Sequence, residues 1–305
     1  MKELYYLVKR DMLVFLRDRA AVFFSVLSML IVLMLMIVFL GDMNSQSIVK
    51  VLAEYGGVRD AAADKENADR LIQMWTLAGI LVVNSVTVTL TVMQTMILDE
   101  TKGSLLSFYT APVSRTKVAL GYIIAAFVIG VGMCLLTLVL GEGYMVLCGY
   151  PLLALTDCLQ LLWMIMLNVF VYSAIAYLLA LFIHSESAWG GMLTVVGTLV
   201  GFVGGIYLPV SQMPEGIAGV VKFLPVLPGA AMMRVVCTKD AVADTFAGMP
   251  EELLTMFREE MGITIKVGDT LFGLTEQVLL LLAYGMIAIV VAVIISRKRT
   301  LRDRG

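Results

Sequence analysis

Charge is what this chain has little of. Of its 305 residues 24 are acidic and 22 basic, 15% in all, and there is a single histidine, His184. With a net charge of −2 there is no basic excess for a nucleic-acid surface, so the placement of Lys and Arg carries more information than their sum. Cys134, Cys148, Cys158 and Cys237 form no CxxC and no Cys/His spacing, and His184 has no second ligand near it in sequence, so no metal site is expected. A GxxxxGK[ST] loop is also lacking, which excludes a P-loop nucleotide site in this chain. What remains is apolar: 60% of the residues are hydrophobic and the mean hydropathy is +0.93, the composition of an integral membrane protein.

Residues 1–21 set Leu4, Tyr5, Val8, Met12, Phe15 and Leu16 on one helical face and Lys9, Arg10 and Arg17 on another, an amphipathic elbow helix or a simple basic anchor. An apolar run at 22–40 follows, long enough to cross a hydrocarbon layer of about 30 Å. Residues 42–74 are polar and read as an outside loop with helical pieces. Further spans fall at about 75–97, 118–140, 159–183, 188–208 and 276–295, making six. The second has a polar face, Asn84, Thr87, Thr91, Gln94 and Thr95, which lines a pathway or bonds neighbouring helices. Thr194 and Thr198 of the fifth span join it as candidate pathway residues. Gly197, Gly201 and Gly205 in that span allow close approach by another helix, in the same subunit or a second one. The turn at 184–187 is so short that the fifth span is expected beside the fourth.

Two stretches between spans are unusual. From Asp99 to Lys117 a charged island holds Leu105, Leu106, Phe108 and Tyr109, between the breaks at Gly103 and Pro112. It reads as a short surface helix with an apolar knob that needs a partner, or as a loop resting on headgroups. From Gly216 to Val236 the chain is too apolar for a loop yet is broken by Pro225, Pro228 and Gly229. A re-entrant hairpin within the outer region 209–275 is expected there. Lys and Arg number 13 over the 55 residues of the amino-terminal segment, the 98–117 loop, the 184–187 turn and the 296–305 tail, against 9 over 119 in the other loops. The positive-inside rule therefore places both termini and the 98–117 loop in the cytosol.

This layout resembles the membrane subunit of type-2 ATP-binding-cassette (ABC-2) exporters over nearly the whole chain. The shared features are an elbow helix, six transmembrane helices, a cytoplasmic coupling helix and an outer re-entrant hairpin, in an all-α integral membrane fold. Glu100, Lys102, Gly103, Ser104 and Leu105 stand where the family usually has Glu, a basic residue, Gly, Thr or Ser, and an apolar residue. Pro112-Val113-Ser114-Arg115 is similar to its Pro-Val-Ser-Arg ending, and Leu224-Pro225 through Pro228 to Arg234 to its outer hairpin. Leu106 departs from the acidic residue common at that position.

The resemblance implies a permease without enzymatic activity, exporting a hydrophobic or amphipathic substrate by alternating access in a bacterial cell membrane. It implies a partner ATPase subunit that binds ATP and Mg, and a second permease subunit in a homodimer or heterodimer. Coupling would run through Glu100, Gly103, Leu105, Phe108, Tyr109 and Arg115. An ion-coupled secondary transporter or channel is the alternative. Against it, no span has an Asp, Glu, Lys or Arg in its central part.

The topology is directly testable. Cysteines introduced in 45–65 and 245–260 should react with an impermeant thiol reagent on intact cells; protection of both would reverse or break the assignment.

Overall fold

One helix reaches from end to end of the molecule. The computed structural model describes residues 2–35, 41–56, 59–105, 113–268 and 270–298, and it is 82% helical. The elements in order are α1 (Lys2–Arg17), α2 (Arg19–Leu35), α3 (Gly41–Tyr55), α4 (Ala61–Thr101), α5 (Arg115–Leu147), α6 (Leu155–Ala180), α7 (Glu186–Val203), α8 (Glu215–Val221), α9 (Val226–Cys237), α10 (Lys239–Thr245), α11 (Glu251–Glu260), strands β1 (Ile265–Val267) and β2 (Thr270–Phe272), and α12 (Leu274–Lys298).

The central helix is α4, with 41 residues, and α1, α2, α3, α5, α6, α7, α9 and α10 all pack on it. Asp60 starts it, its side chain accepting from the backbone N–H of Ala62. At 1.5 Å per residue α4 is about 60 Å long, roughly twice the hydrocarbon thickness, so much of it stands outside the membrane. The polar stretch before Trp75 continues the helix because Ala68, Leu71, Ile72 and Trp75 recur on one face and are buried in a second core with Ile48 and Leu52 of α3, Ala241 and Val242 of α10, and Phe246. Arg59 fastens this second lobe, pairing with Asp64 at 2.8 Å and donating to the carbonyls of Ala247 and Thr245. Arg70 adds a 2.8 Å pair with Asp244.

Among the described residues five helices are long and apolar enough to cross a membrane, six if a bent pair counts as one. That pair is α8 and α9, which meet at 78° around the break before Pro225. The expected end of the first span, 36–40, lies outside the described residues. The turn between α6 and α7 is short, but α7 packs mainly on α4 rather than beside α6. Its glycines divide. A side chain at Gly201 would strike the Tyr207 ring at 2.2 Å, and Gly205 turns the chain at φ +63, whereas Gly197 meets nothing within 4 Å. The close approach at Gly201 is therefore within this chain. The four cysteines are unpaired: Cys134 and Cys237 are buried, Cys148 is exposed and Cys158 half-buried.

Where α7 ends, the backbone carbonyls of Gly204 and Gly205 need donors. Arg234 of α9, wholly buried, supplies them through Nη2 at 2.9 and 3.0 Å. Its Nη1 donates to the carbonyls of Met261 and Gly262 at 3.3 and 3.2 Å. The guanidinium lies 4.4 Å from the ring centroid of Trp75, whose Nε1 donates to Met261 O at 2.8 Å. Three chain segments and α4 thus converge on one side chain.

Arg234→Met should destabilise the folded chain by at least about 3 kcal/mol, because buried carbonyls lose a charged donor. Arg234→Lys should recover only part, since an ammonium lacks the planar fork. Thermal denaturation in detergent measures both; a melting temperature unchanged in Arg234→Met would refute the role.

Candidate functional site

The second place where elements converge is the opposite end of α4. Asp99, buried, receives both terminal nitrogens of the Arg10 guanidinium from α1 and the hydroxyl of Tyr122 from α5 at 2.6 Å. Arg10 also bonds the carboxylate of its neighbour Asp11 at 2.8 Å. One residue further on, Glu100 meets Nδ1 of His184 at 3.0 Å, and Thr101 donates to Glu186 at 3.1 Å, tying in the turn before α7. Across the loop, Lys117 at the start of α5 pairs with Glu3 of α1 at 2.7 Å. Both flanks of the 98–117 loop are therefore joined to α1.

Local sequence explains the frame. α4 stops at Lys102, and Gly103 takes φ +74, a left-handed conformation that favours glycine and that ends helices. α5 begins behind Ser114, whose side chain accepts from the backbone N–H of Lys117. Leu105 does not sit on an exposed knob: it is 3% exposed and belongs to the main core with Val118 and Tyr122. The left-handed turn at Gly103 lies two residues before it. Leu106, Phe108 and Tyr109 lie outside the described residues. Arg115 is exposed at the first turn of α5, on a small cavity of about 40 Å3 shared with Thr116, Tyr177 and Ser296.

The buried side of α1 takes in only part of its apolar face. Phe15 is buried, and so is Asp11, while Tyr5, Tyr6 and Leu16 stay exposed on the protein, available to lipid. Burial pushes the Asp11 carboxyl up to about 6 from its ordinary 3.8, with Arg10 pulling it down and Asp99 adding to the rise.

The polar face of α4 is the other candidate. Asn84, Thr87, Thr91 and Gln94 line a cavity of about 280 Å3 with Phe24 and Ser25 of α2. Asn84 Nδ2 donates to Thr137 Oγ1 of α5 at 2.7 Å, which fastens two helices. Thr87 and Thr91 donate to the carbonyls of Val83 and Thr87 in their own helix, so their oxygens coat the cavity while their protons are already used. Thr95 is buried and not on this wall. Thr194 and Thr198 are exposed on α7, bonding the carbonyls of Gly190 and Thr194, and do not reach the cavity.

Sequence reasoning did not pick out Arg10, Asp99, Tyr122 or Glu186 as a connected set. The one available signal was Asp99 itself, an acid at the very end of an apolar span, which calls for a cation.

These features define an all-α, multi-pass membrane protein whose central helix is gripped at both ends. The family profile described as ABC-2 type transporter matches residues 2–237, and the chain belongs to that family. No curated protein sequence matches it. It is therefore an ABC-type permease, a membrane component that is not itself catalytic.

Asp11 generates a pH prediction. Its folded-state carboxyl titrates near 6 and its unfolded one near 3.8, so the folded chain holds the proton more tightly. Its contribution favours folding at low pH and declines as pH rises from about 4 through about 6, then stays level. Relative to Asp11→Asn, the wild type should lose thermal stability between about pH 5 and pH 7; a pH-independent difference would contradict the burial argument.

Proposed function

We propose that this chain is the membrane-spanning permease of an ATP-driven exporter that moves a hydrophobic or amphipathic substrate, such as a drug, antibiotic, lipid or lipophilic peptide, out of a bacterial cell. A separate ATPase subunit binds ATP and Mg and docks on the 98–117 loop. Two permease subunits, identical or paired with a homologue, complete the pathway. Residues 1–21 serve as the cytoplasmic elbow, α8 and α9 as a re-entrant outer hairpin, 209–275 as the outer region and 296–305 as a cytoplasmic tail.

The observation that carries this reading is the clamp of Arg10 and Tyr122 on Asp99, within a chain of the ABC-2 family. A partner that displaces the loop moves α1, the α6–α7 turn and the base of α4 together. Over about 60 Å of helix, a tilt of about 5° at one end shifts the other by about 5 Å. This supports transmission from a nucleotide-driven partner to the spans, which requires a two-state element biased from both ends. The cavity beside Asn84, Thr87 and Thr91, coated by hydroxyl oxygens and, among the described residues, free of Asp, Glu, Lys and Arg, suits a cargo without compact charge.

Co-purification with an ATPase subunit and cargo-stimulated hydrolysis by the assembled complex test the reading. With Leu105 held in the core, the docking residues are Phe108 and Tyr109, with Glu100 and Arg115 positioning them. Burying one such aromatic contributes roughly 1.5–3 kcal/mol. Phe108→Ala should therefore insert normally, bind the ATPase at least about tenfold more weakly and lose transport, with Arg115→Ala milder. Full ATPase binding and transport by Phe108→Ala would overturn the docking assignment.

A further inference from the structure

The second lobe has a cavity for which the transport reading has no use. It measures about 320 Å3 and lies between α3, the turn at Val210–Gln212 and α11. That volume is at the lower end of the range for small-molecule sites, about 300–1,000 Å3. Its wall is aromatic and polarisable: the rings of Phe246 and Phe257 lie 4.7 Å apart between centroids at 41°, and Met256 and Met261 flank them. Among the described residues no Lys or Arg lines it.

One carboxylate does. Glu260 is exposed on the rim, and among the described residues it enters no ion pair, Lys266 being engaged by the adjacent Glu259 at 2.7 Å. The surrounding field has the same sign, since from Lys239 to Gly273 seven Asp and Glu face three Lys and Arg. An anion would be repelled, and a neutral apolar molecule would leave the carboxylate unused. A cation with an apolar body gains from both, through ring faces and the rim charge.

We propose that this cavity is a binding site for an amphipathic organic cation, its apolar body against Phe246, Phe257 and Met256 and its charge beside Glu260. The site stands on the cavity itself and does not depend on the direction of transport or on a partner ATPase.

The test uses the full-length chain in nanodiscs of zwitterionic lipid, with empty discs subtracting partition into lipid. Radiolabelled tetraphenylphosphonium is the probe, and tetraphenylborate its anionic counterpart of like shape. Tetraphenylphosphonium should bind saturably, one per chain, and tetraphenylborate at least about tenfold more weakly. Glu260→Gln should weaken the cation about fivefold, as expected for one exposed charge, while leaving neutral triphenylphosphine oxide unchanged. Ser211→Trp, at an exposed rim position where folding is not at stake, should fill the cavity and abolish binding of both. The proposal is overturned if tetraphenylborate binds as tightly as the cation, if no saturable binding is seen, or if Ser211→Trp binds tetraphenylphosphonium like the wild type.

Discussion

A helix that ends in apolar surroundings leaves carbonyls with no water to bond, and this constraint decides the half of the protein around Arg234. The end of α7 at Gly204 and Gly205 is satisfied only because Arg234 arrives from α9 with a planar fork of donors. Burying a guanidinium is costly, and here four carbonyl dipoles and the face of Trp75 offset that cost in place of a carboxylate. Since the same group also holds Met261 and Gly262, the end of α7, the orientation of α9 and the path of the chain into β1 cannot vary independently. The 78° bend between α8 and α9 is the geometry that brings Arg234 there.

The end of α4 at Asp99 is built differently. There the fixed group is an acid, Asp99, and the donors come from α1 and α5. A charged pair with a partly exposed cation is easier to remake than a buried fork on four carbonyls, so the two places of convergence along α4 differ for a chemical reason. Between them the helix presents threonines that bond their own backbone, which lets a polar wall exist without orphan donors facing lipid or cargo.

Much of the architecture was legible in the sequence. The apolar runs, the break at Pro225 and the turn at Gly103 follow from hydropathy and local backbone chemistry, whereas Pro228 and Gly229, expected to break the chain too, lie inside α9. Leu105 shows the limit. Its spacing with Phe108 and Tyr109 suggests one exposed face, yet it lies in the core, beyond the left-handed turn at Gly103. For α1, periodicity found the apolar face, and Met12 and Phe15 of it pack on the main core while Tyr5 and Leu16 stay exposed; the burial of Asp11 beside it is not a hydropathy signal.

The sequence by itself determined the class of the protein, its apolar segments and where the chain must break, because segment length, hydropathy and the backbone limits of Gly and Pro are local properties. Only the tertiary structure decided that Arg10 would find Asp99, 89 residues away, and that Trp75 would reach Met261, 186 residues away. It alone enclosed a cavity between α3 and α11. Those pairings depend on which helices pack together, and hydropathy marks a residue as buried without saying against what.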